Sequence, residues 1–447
     1  MIKSELTRRG LLKTGAVAGA GLALPTIFTA RANAFTNEPK ADTVTFGFTV
    51  PQTGPYADEG ADELKAFTLA VKHLNGEGDG GMLSSFSSKA LNGAGILGKK
   101  VAFVSGDTQT KPDAARAAAK SMIEKDGAIM ISGCSSSAVA IALQALCQEA
   151  GLINMVGLSH SNDTTGKDKK RNGFRHFFNA YMSAAALAPV LKTMYGSDRA
   201  AYHLTADYSW GWTQQASMQA ATEALGWKTV ANVLTPLAAT DFSSYIAPVL
   251  SSGADVLVLN HYGANMVNSL TQAVQFGLRD KMVNGKQFEI VVPLISELMA
   301  KGAGANIKGI PGSSNWNWKL TDAGTKAFVQ SYGKEYGAPP SQAAQTCYAQ
   351  VLLYADAVAR AKSFNPCAVV EALEGYKFDG LGNGPTEYRA ADHQCIKDCL
   401  VVKGKETPDN QFDTLEIVQV TPASEVTYAP DNKMFAGGDL GQCNPGA

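Results

Sequence analysis

The feature that most limits the fold is a regular alternation of apolar, β-branched segments with segments of helical periodicity. Runs such as 128–132 (AIMIS) are apolar throughout, as expected for strands buried on both faces. Alternating strands and helices build parallel sheets covered by helices on both sides. The predicted strands are 44–50, 101–106, 128–132, 152–156, 199–205, 230–235, 256–260 and 289–293, and the predicted helices are 62–75, 112–125, 138–149, 182–195, 212–225 and 265–276. The predicted fold class is α/β.

The alternation stops once, after 174–179, and restarts near Arg199. Two doubly wound, Rossmann-like lobes follow from this restart, with a ligand cleft where the carboxyl ends of their strands face each other. Two further helices are predicted at 321–336 and 343–362, before short strands and a polar tail, 421–447, that Cys443 could anchor. The Gly- and Ser-rich segment 76–98 is predicted to be a surface insertion.

Residues 1–34 have the order of parts typical of a twin-arginine export signal. Arg8 and Arg9 lie in the motif TRRGLLK, a weakly apolar run follows, and an Ala-Asn-Ala triplet ends at position 34. That run is shorter than the ~20 residues needed to cross a bilayer, so it favours a removable signal over an anchor. We expect a soluble periplasmic protein that begins near Phe35.

The charge balance disfavours polyanionic partners. Residues 1–34 carry five of the 39 Lys and Arg and one of the 40 Asp and Glu, so the remainder has a net charge of −5. Its only dense basic stretch is 167–171, in a polar loop. We therefore expect neither nucleic acid nor an anionic membrane surface as a partner. The length of 447 residues favours two domains.

Seven cysteines fall after the signal, and in an oxidising compartment some should pair while the odd count leaves at least one free. His393, Cys395 and Cys399 are an alternative set of metal ligands, but zinc sites usually have tighter cysteine spacing and a fourth ligand nearby. Disulfides or free thiols are therefore favoured. We expect no metal and no cofactor.

Enzyme motifs are weak in this chain. The segment 93–100 (GAGILGKK) resembles a phosphate-binding loop, but it lacks the terminal Ser or Thr and precedes a strand. Residues 133–137 (GCSSS) follow a strand and open a helix, where N–H groups and hydroxyls can hold a carboxylate. Helix capping and a nucleophilic Cys134 or Ser135 with His160 are the alternatives. Anion capture is favoured, and no catalytic residue is assigned.

Five segments occur in an order that resembles the type I periplasmic binding proteins, in particular the branched-chain amino acid group. They are TVTFGFTVPQTGPYADEG (43–60), ISGCSSS (131–137), LINMVGLSHSND (152–163), TADYSWG (205–211) and RAADHQ (389–394). The resemblance covers 43–420 and implies two lobes joined by a three-stranded hinge. Lobe one would comprise 43–181 and 320–374, and lobe two 182–319 and 375–420. Such proteins capture a small solute and deliver it to a membrane ABC permease.

The resemblance also implies a set of ligand-binding residues. Ser135, helped by Ser136, would hold a carboxylate, and Glu297 would receive an α-ammonium group. His160 stands where the family usually presents a Thr or Ser, and is therefore a departure. Core packing is the alternative role for Tyr262 and Tyr348. The predicted ligand-binding residues are Tyr56, Ser135, Ser136, Leu158, His160, Tyr208, Trp210, Tyr262, Glu297 and Tyr348.

We accordingly expect a monomeric, non-enzymatic solute-binding component of an ABC importer. Its ligand is expected to be a small carboxylate: a branched-chain or other hydrophobic amino acid first, an aromatic acid or amide-type solute second. Two alternatives remain, a ligand-sensing regulatory domain of the same fold and a secreted hydrolase that uses Cys134 or Ser135.

Overall fold

The computed structural model describes residues 39–133, 135–435 and 437–446. The predicted export signal at 1–34 and the candidate nucleophile Cys134 lie outside these residues. Of the helices in the described ranges, none has both the length and the apolar character needed to cross a membrane.

Lobe one is built on a five-stranded parallel sheet, ordered β2-β1-β3-β4-β5. Its strands are β1 (Thr43–Val50), β2 (Lys100–Asp107), β3 (Ala128–Gly133), β4 (Ile153–Val156) and β5 (Gly173–Arg175). Its first helices are α1 (Ala57–Leu74), α2 (Pro112–Asp126) and α3 (Ser137–Ala150). Since the strands are parallel, β1 and β3 end at one edge of the sheet, and α1 and α3 begin beside each other there.

Lobe two repeats this construction on a four-stranded parallel sheet, ordered β11-β8-β6-β7. Its helices are α4 (Ala180–Tyr195), α5 (Ser209–Glu223), α6 (Ser243–Ile246), α7 (Gly263–Gln275) and α8 (Glu297–Ala303). Its strands are β6 (Ala200–Ala206), β7 (Lys228–Thr235), β8 (Val256–Asn260) and β11 (Glu289–Val291), with a hairpin of β9 (Met282–Val283) and β10 (Lys286–Gln287) before the last.

The chain then returns to lobe one, where α10 packs along α1. The remaining elements are β12 (Pro311–Ser314), α9 (Ala323–Tyr336), α10 (Gln342–Ala361), α11 (Pro366–Leu373), β13 (Lys377–Phe378), β14 (Thr386–Tyr388), β15 (Cys395–Ile396), β16 (Cys399–Gly404), β17 (Leu415–Thr421) and α12 (Ala423–Val426). Strands β12, β16 and β17 form an antiparallel sheet. The predicted boundary at 374/375 stays a prediction, and Phe378 packs against Phe86 of lobe one, with ring centroids 6.3 Å apart.

The predicted strands and helices are confirmed, and three details differ. Helix α1 begins at Ala57, five residues before the predicted start. Segment 76–98, expected at the surface, contributes buried Met82, Phe86 and Ile96 to the core, because it covers the side of lobe one next to β13. Strand β5 lies in the stretch interpreted as the interruption between lobes.

The C-terminal tail from Thr421 runs from lobe two to lobe one. Helix α12 packs on α4, and Met434 touches the Ser217 hydroxyl of α5 at 4.0 Å. Further along, the N–H of Arg171 in lobe one donates to the Leu440 carbonyl at 2.8 Å. A disulfide between Cys443 and Cys367 of α11 confirms the expected anchor. The tail therefore contacts both lobes.

Candidate functional site

The loop between β3 and α3 brings a serine hydroxyl to a carboxyl group of α1. The Ser135 hydroxyl donates a short hydrogen bond to Glu63 Oε1. The Ser136 hydroxyl is buried and has no hydrogen-bond partner in the described part of the chain. The Ser137 hydroxyl accepts the backbone N–H groups of His160 and Ser161, each at 3.1 Å. The three serines thus have different roles, and Ser137 holds the loop after β4 in place.

His160 is a neutral imidazole in this loop, beside the buried Leu158. Its Nδ1 lies 2.7 Å from the Phe178 carbonyl, which can only accept, so Nδ1 carries the proton. Burial lowers the pKa of His160 to about 3, and Nε2 is therefore an acceptor. Nε2 makes no hydrogen bond of ordinary geometry with the described residues, although the Gln214 amide is close enough to affect this pKa.

Four predicted aromatic residues form one buried cluster. The ring centroids of Tyr56 and Tyr262 are 5.6 Å apart, those of Tyr262 and Trp210 are 6.2 Å apart, and those of Trp210 and Tyr208 are 6.0 Å apart. The His160 ring extends the cluster at 6.4 Å from Trp210. The Trp210 Nε1 is buried without a partner among the residues described. The prediction that these side chains lie together is consistent with these contacts.

Several hydrogen bonds join the lobes across the cleft, and three of them involve the aromatic and acidic residues of the site. The hydroxyls of Tyr56 in lobe one and Tyr208 in lobe two are 2.7 Å apart. Ser296 caps α8 and donates to Glu59 Oε1 of α1 at 2.6 Å. At the start of α10, the N–H of Gln342 donates to Glu297 Oε2 at 3.2 Å. These contacts bury the side chains that lie between the lobes.

Three buried carboxyl groups lie on α1 and α8, and each has one oxygen without a hydrogen bond of ordinary geometry in the described structure: Glu59 Oε2, Glu63 Oε2 and Glu297 Oε1. Burial raises the pKa of Glu59 to about 7, opposed by the hydroxyls of Ser296 and Tyr262. Burial raises the pKa of Glu63 to about 8 and that of Glu297 to about 8. The lobes thus enclose three carboxyl groups with raised pKa values, none of which forms an ion pair with a cationic side chain among the described residues.

Tyr348 lies apart from these contacts. Its ring packs against Phe328 at 4.8 Å, and its hydroxyl bonds to His73 Nδ1, beside segment 76–98. These contacts favour the core-packing alternative and do not support a position in the pocket wall. Trp212 is exposed, and its Nε1 donates to Asp207 at 3.0 Å.

Glu59 and Glu63 were not predicted from the sequence. They are one helical turn apart on α1, so both point to the same face. Glu59 lies in the first turn of α1, where an acidic residue is ordinarily explained by the helix dipole, so its residue type alone does not point to the cleft. The signal that could have revealed them was their spacing of four residues, with Glu59 inside the matched segment 43–60 and Glu63 just after it.

The arrangement suits binding better than covalent chemistry. Ser135 donates to a carboxyl group and not to a histidine, and His160 makes its bonds through Ser137 and Phe178. Among the residues that the structure covers, no group of three or more His, Cys, Asp or Glu is placed to hold a metal ion.

Comparisons with known proteins agree with this architecture. Leu/Ile/Val-binding protein homolog 7 of Brucella melitensis is 22% identical over 366 residues, which are 76% of this chain and 86% of the relative. Homolog 4 of the same organism is 24% identical over 319 residues, 68% of this chain and 74% of the relative.

Solved structures show the same fold. An amino acid ABC transporter substrate-binding protein from Pseudomonas fluorescens superposes with a TM-score of 0.75 at 21% identity, covering 89% of this chain and 99% of that chain. A Rhodopseudomonas palustris solute-binding protein in complex with 3,4-dihydroxybenzoic acid gives a TM-score of 0.73 at 20% identity, covering 86% and 98%. The sequence profile described as periplasmic binding protein matches residues 43–410. This chain belongs to the periplasmic binding protein family, type I.

Proposed function

We propose that this protein is the solute-binding component of an ABC importer, and that its solute carries a positively charged nitrogen bound in the interlobe cleft. The observation that carries the proposal is the enclosure of Glu59, Glu63 and Glu297, each with an unpartnered oxygen. An ionised carboxylate buried without a partner is unfavourable, and an ammonium group would supply the missing donors and the opposite charge. The protein would be exported as a monomer by the twin-arginine route.

An amino acid is the solute that the sequence favours, with Glu297 as a partner of its ammonium group. An aromatic acid, the second expectation, fits less well, because its carboxylate would enter a site that already holds three carboxyl groups. A hydrophobic solute body is accommodated by the rings of Tyr56, Trp210 and Tyr262.

Calorimetric titration of leucine and benzoate tests this class of solute. If an ammonium-bearing solute binds, Glu297→Gln should weaken it by several kcal/mol, because the buried cation loses a counter-charge. Glu124→Gln, on the exposed face of α2, is the matched control and should change nothing. Tight binding of benzoate, unaltered by Glu297→Gln, would contradict the proposal.

Uptake measurements separate the importer from a regulator. Deleting the gene that encodes this protein should abolish import of its solute into cells. A ligand-sensing regulatory domain would leave the transport step intact and change only expression of other proteins.

A further inference from the structure

The position in the cleft that most favours an anion is already occupied by a side chain of the protein itself. The N-terminus of α3 and the Ser135 hydroxyl could bind a carboxylate, since helix N-termini favour negative charge. In the structure, the Glu63 carboxyl of α1 holds that hydroxyl. A solute carboxylate would therefore have to displace Glu63 or lie beside it.

Four of the unpartnered atoms around the cleft can accept a hydrogen bond from an ammonium group. Glu59, Glu63 and Glu297 each offer a carboxyl oxygen, and the tautomer of His160 makes its Nε2 an acceptor as well. The unpartnered donors beside them are neutral; they are the Trp210 indole N–H, the Ser136 hydroxyl and the Gln214 amide. An ammonium group offers donors and a positive charge to these acceptors, whereas a carboxylate would require the three carboxyl groups to stay protonated beside it.

The surrounding charges have the same sign. The main charges that act on Glu59 come from Asp62 and Asp58, and those on Glu63 and Glu297 come from Glu59 and Asp62. Each of these charges is negative.

The positive charge felt by His160 is that of Arg175, and this group is already engaged. Its Nε donates to Gln394 Oε1 at 2.8 Å, and its other nitrogens donate to Ser161 and Thr165. It therefore has no evident group left for a solute carboxylate.

The walls also suit a cation. Tyr56, Tyr262 and Trp210 present rings at mutual centroid distances of 5.6 and 6.2 Å. An ammonium group over such ring faces is attracted by their quadrupoles, and more strongly when water is excluded. Acceptors on one side and rings on the other would surround an alkyl- or arylammonium group.

We infer that the cleft selects organic amines that lack a carboxylate, and that Glu63 excludes amino acids by occupying the Ser135 hydroxyl. The inference rests on the proposed function and narrows it from any solute with a charged nitrogen to an amine without an acidic group. Glu63 is thus assigned as the specificity-determining residue of the site.

The test compares three solutes that share one branched alkyl body with a fourth that is aromatic. Leucine, isoamylamine and 4-methylpentanoate carry, respectively, both charged groups, the ammonium group alone and the carboxylate alone; benzylamine is the aromatic amine. Calorimetry and thermal unfolding of the mature protein at pH 7 should show isoamylamine or benzylamine binding at least tenfold more tightly than leucine. The 4-methylpentanoate should not bind.

Two variants assign the selectivity to Glu63. Glu63→Gln keeps an acceptor for Ser135 but removes the carboxyl group that can ionise beside a bound ammonium group, so amine affinity should fall at least tenfold and the preference over leucine should shrink. Ser135→Ala should weaken the amine less than Glu63→Gln does, because it only loosens the carboxyl group. Glu124→Gln is the control and should retain the wild-type preference.

The outcomes separate the two proposals. If leucine binds more tightly than both amines, the amine inference is overturned, while the wider proposal of a charged nitrogen stands. If only 4-methylpentanoate binds, or no compound binds, both are overturned. If the amines bind best but Glu63→Gln leaves the preference unchanged, the assignment of selectivity to Glu63 is wrong.

Discussion

Replacing Glu63 by Gln should change how the stability of the ligand-free protein depends on pH. Burial raises the pKa of Glu63 from 4.5 to about 8, so the folded protein keeps a proton that the unfolded chain loses above about pH 5. Folding then takes up a proton, and the contribution of Glu63 to the free energy of unfolding falls as the pH rises. A Gln side chain cannot titrate, so the variant should not show this decrease in the free energy of unfolding as the pH rises.

The expected size of the stability difference follows from the uptake of one proton on folding. A full proton of uptake corresponds to about 1.4 kcal/mol per pH unit. Between pH 5 and 7, which lies between the unfolded and folded pKa values, wild type should lose about 2 to 3 kcal/mol relative to Glu63→Gln. Buried histidines act in the opposite direction: burial lowers the pKa of His160 to about 3 and that of His203 to about 4. Their contribution is common to both proteins and cancels in the difference.

Urea unfolding followed by tryptophan fluorescence at pH 5, 6 and 7 measures this difference. Glu124→Gln, which changes an exposed carboxyl group, should follow wild type at every pH. Equal pH slopes for wild type and Glu63→Gln would refute the reasoning, because they would mean that Glu63 is already ionised in the folded protein.

Three further predictions concern the tail, the closed cleft and export. Cys443→Ser should lower the free energy of unfolding by about 4 kcal/mol, since the disulfide closes a 76-residue separation, and denaturant curves that match wild type would contradict this. Tyr208→Phe removes the hydroxyl bond to Tyr56, so solute affinity should fall by about 1 kcal/mol in calorimetry, with unchanged affinity as the opposing result. Changing Arg8 and Arg9 to Lys should retain the precursor in the cytoplasm; mature protein in the periplasmic fraction would exclude the twin-arginine route.

The framework of the fold could be predicted because hydrophobic periodicity records burial directly. The strand at 256–260 and the helix starting near position 112 follow from apolar runs and from Pro at a helix start. Short elements such as β5 and β12 were missed, since three or four residues carry little periodicity.

The candidate site was predictable only in part. Trp210 and Tyr262 follow the carboxyl ends of strands, so topology brings them together. The position of Tyr348 depends on which face of α10 meets α1, and its residue type does not reveal that. The bond between Ser135 and Glu63 joins residues 72 positions apart, and no local pattern indicates it.

The C-terminal tail limits how far the two lobes can separate. Met434 touches lobe two and Leu440 is bonded to lobe one, and only six residue steps separate them. A fully extended chain of that length spans about 20 Å. While both attachments persist, the lobes cannot separate beyond this distance at that side. The tail would then act as a tether that limits the amplitude of opening, and a permease would meet a narrow range of open forms.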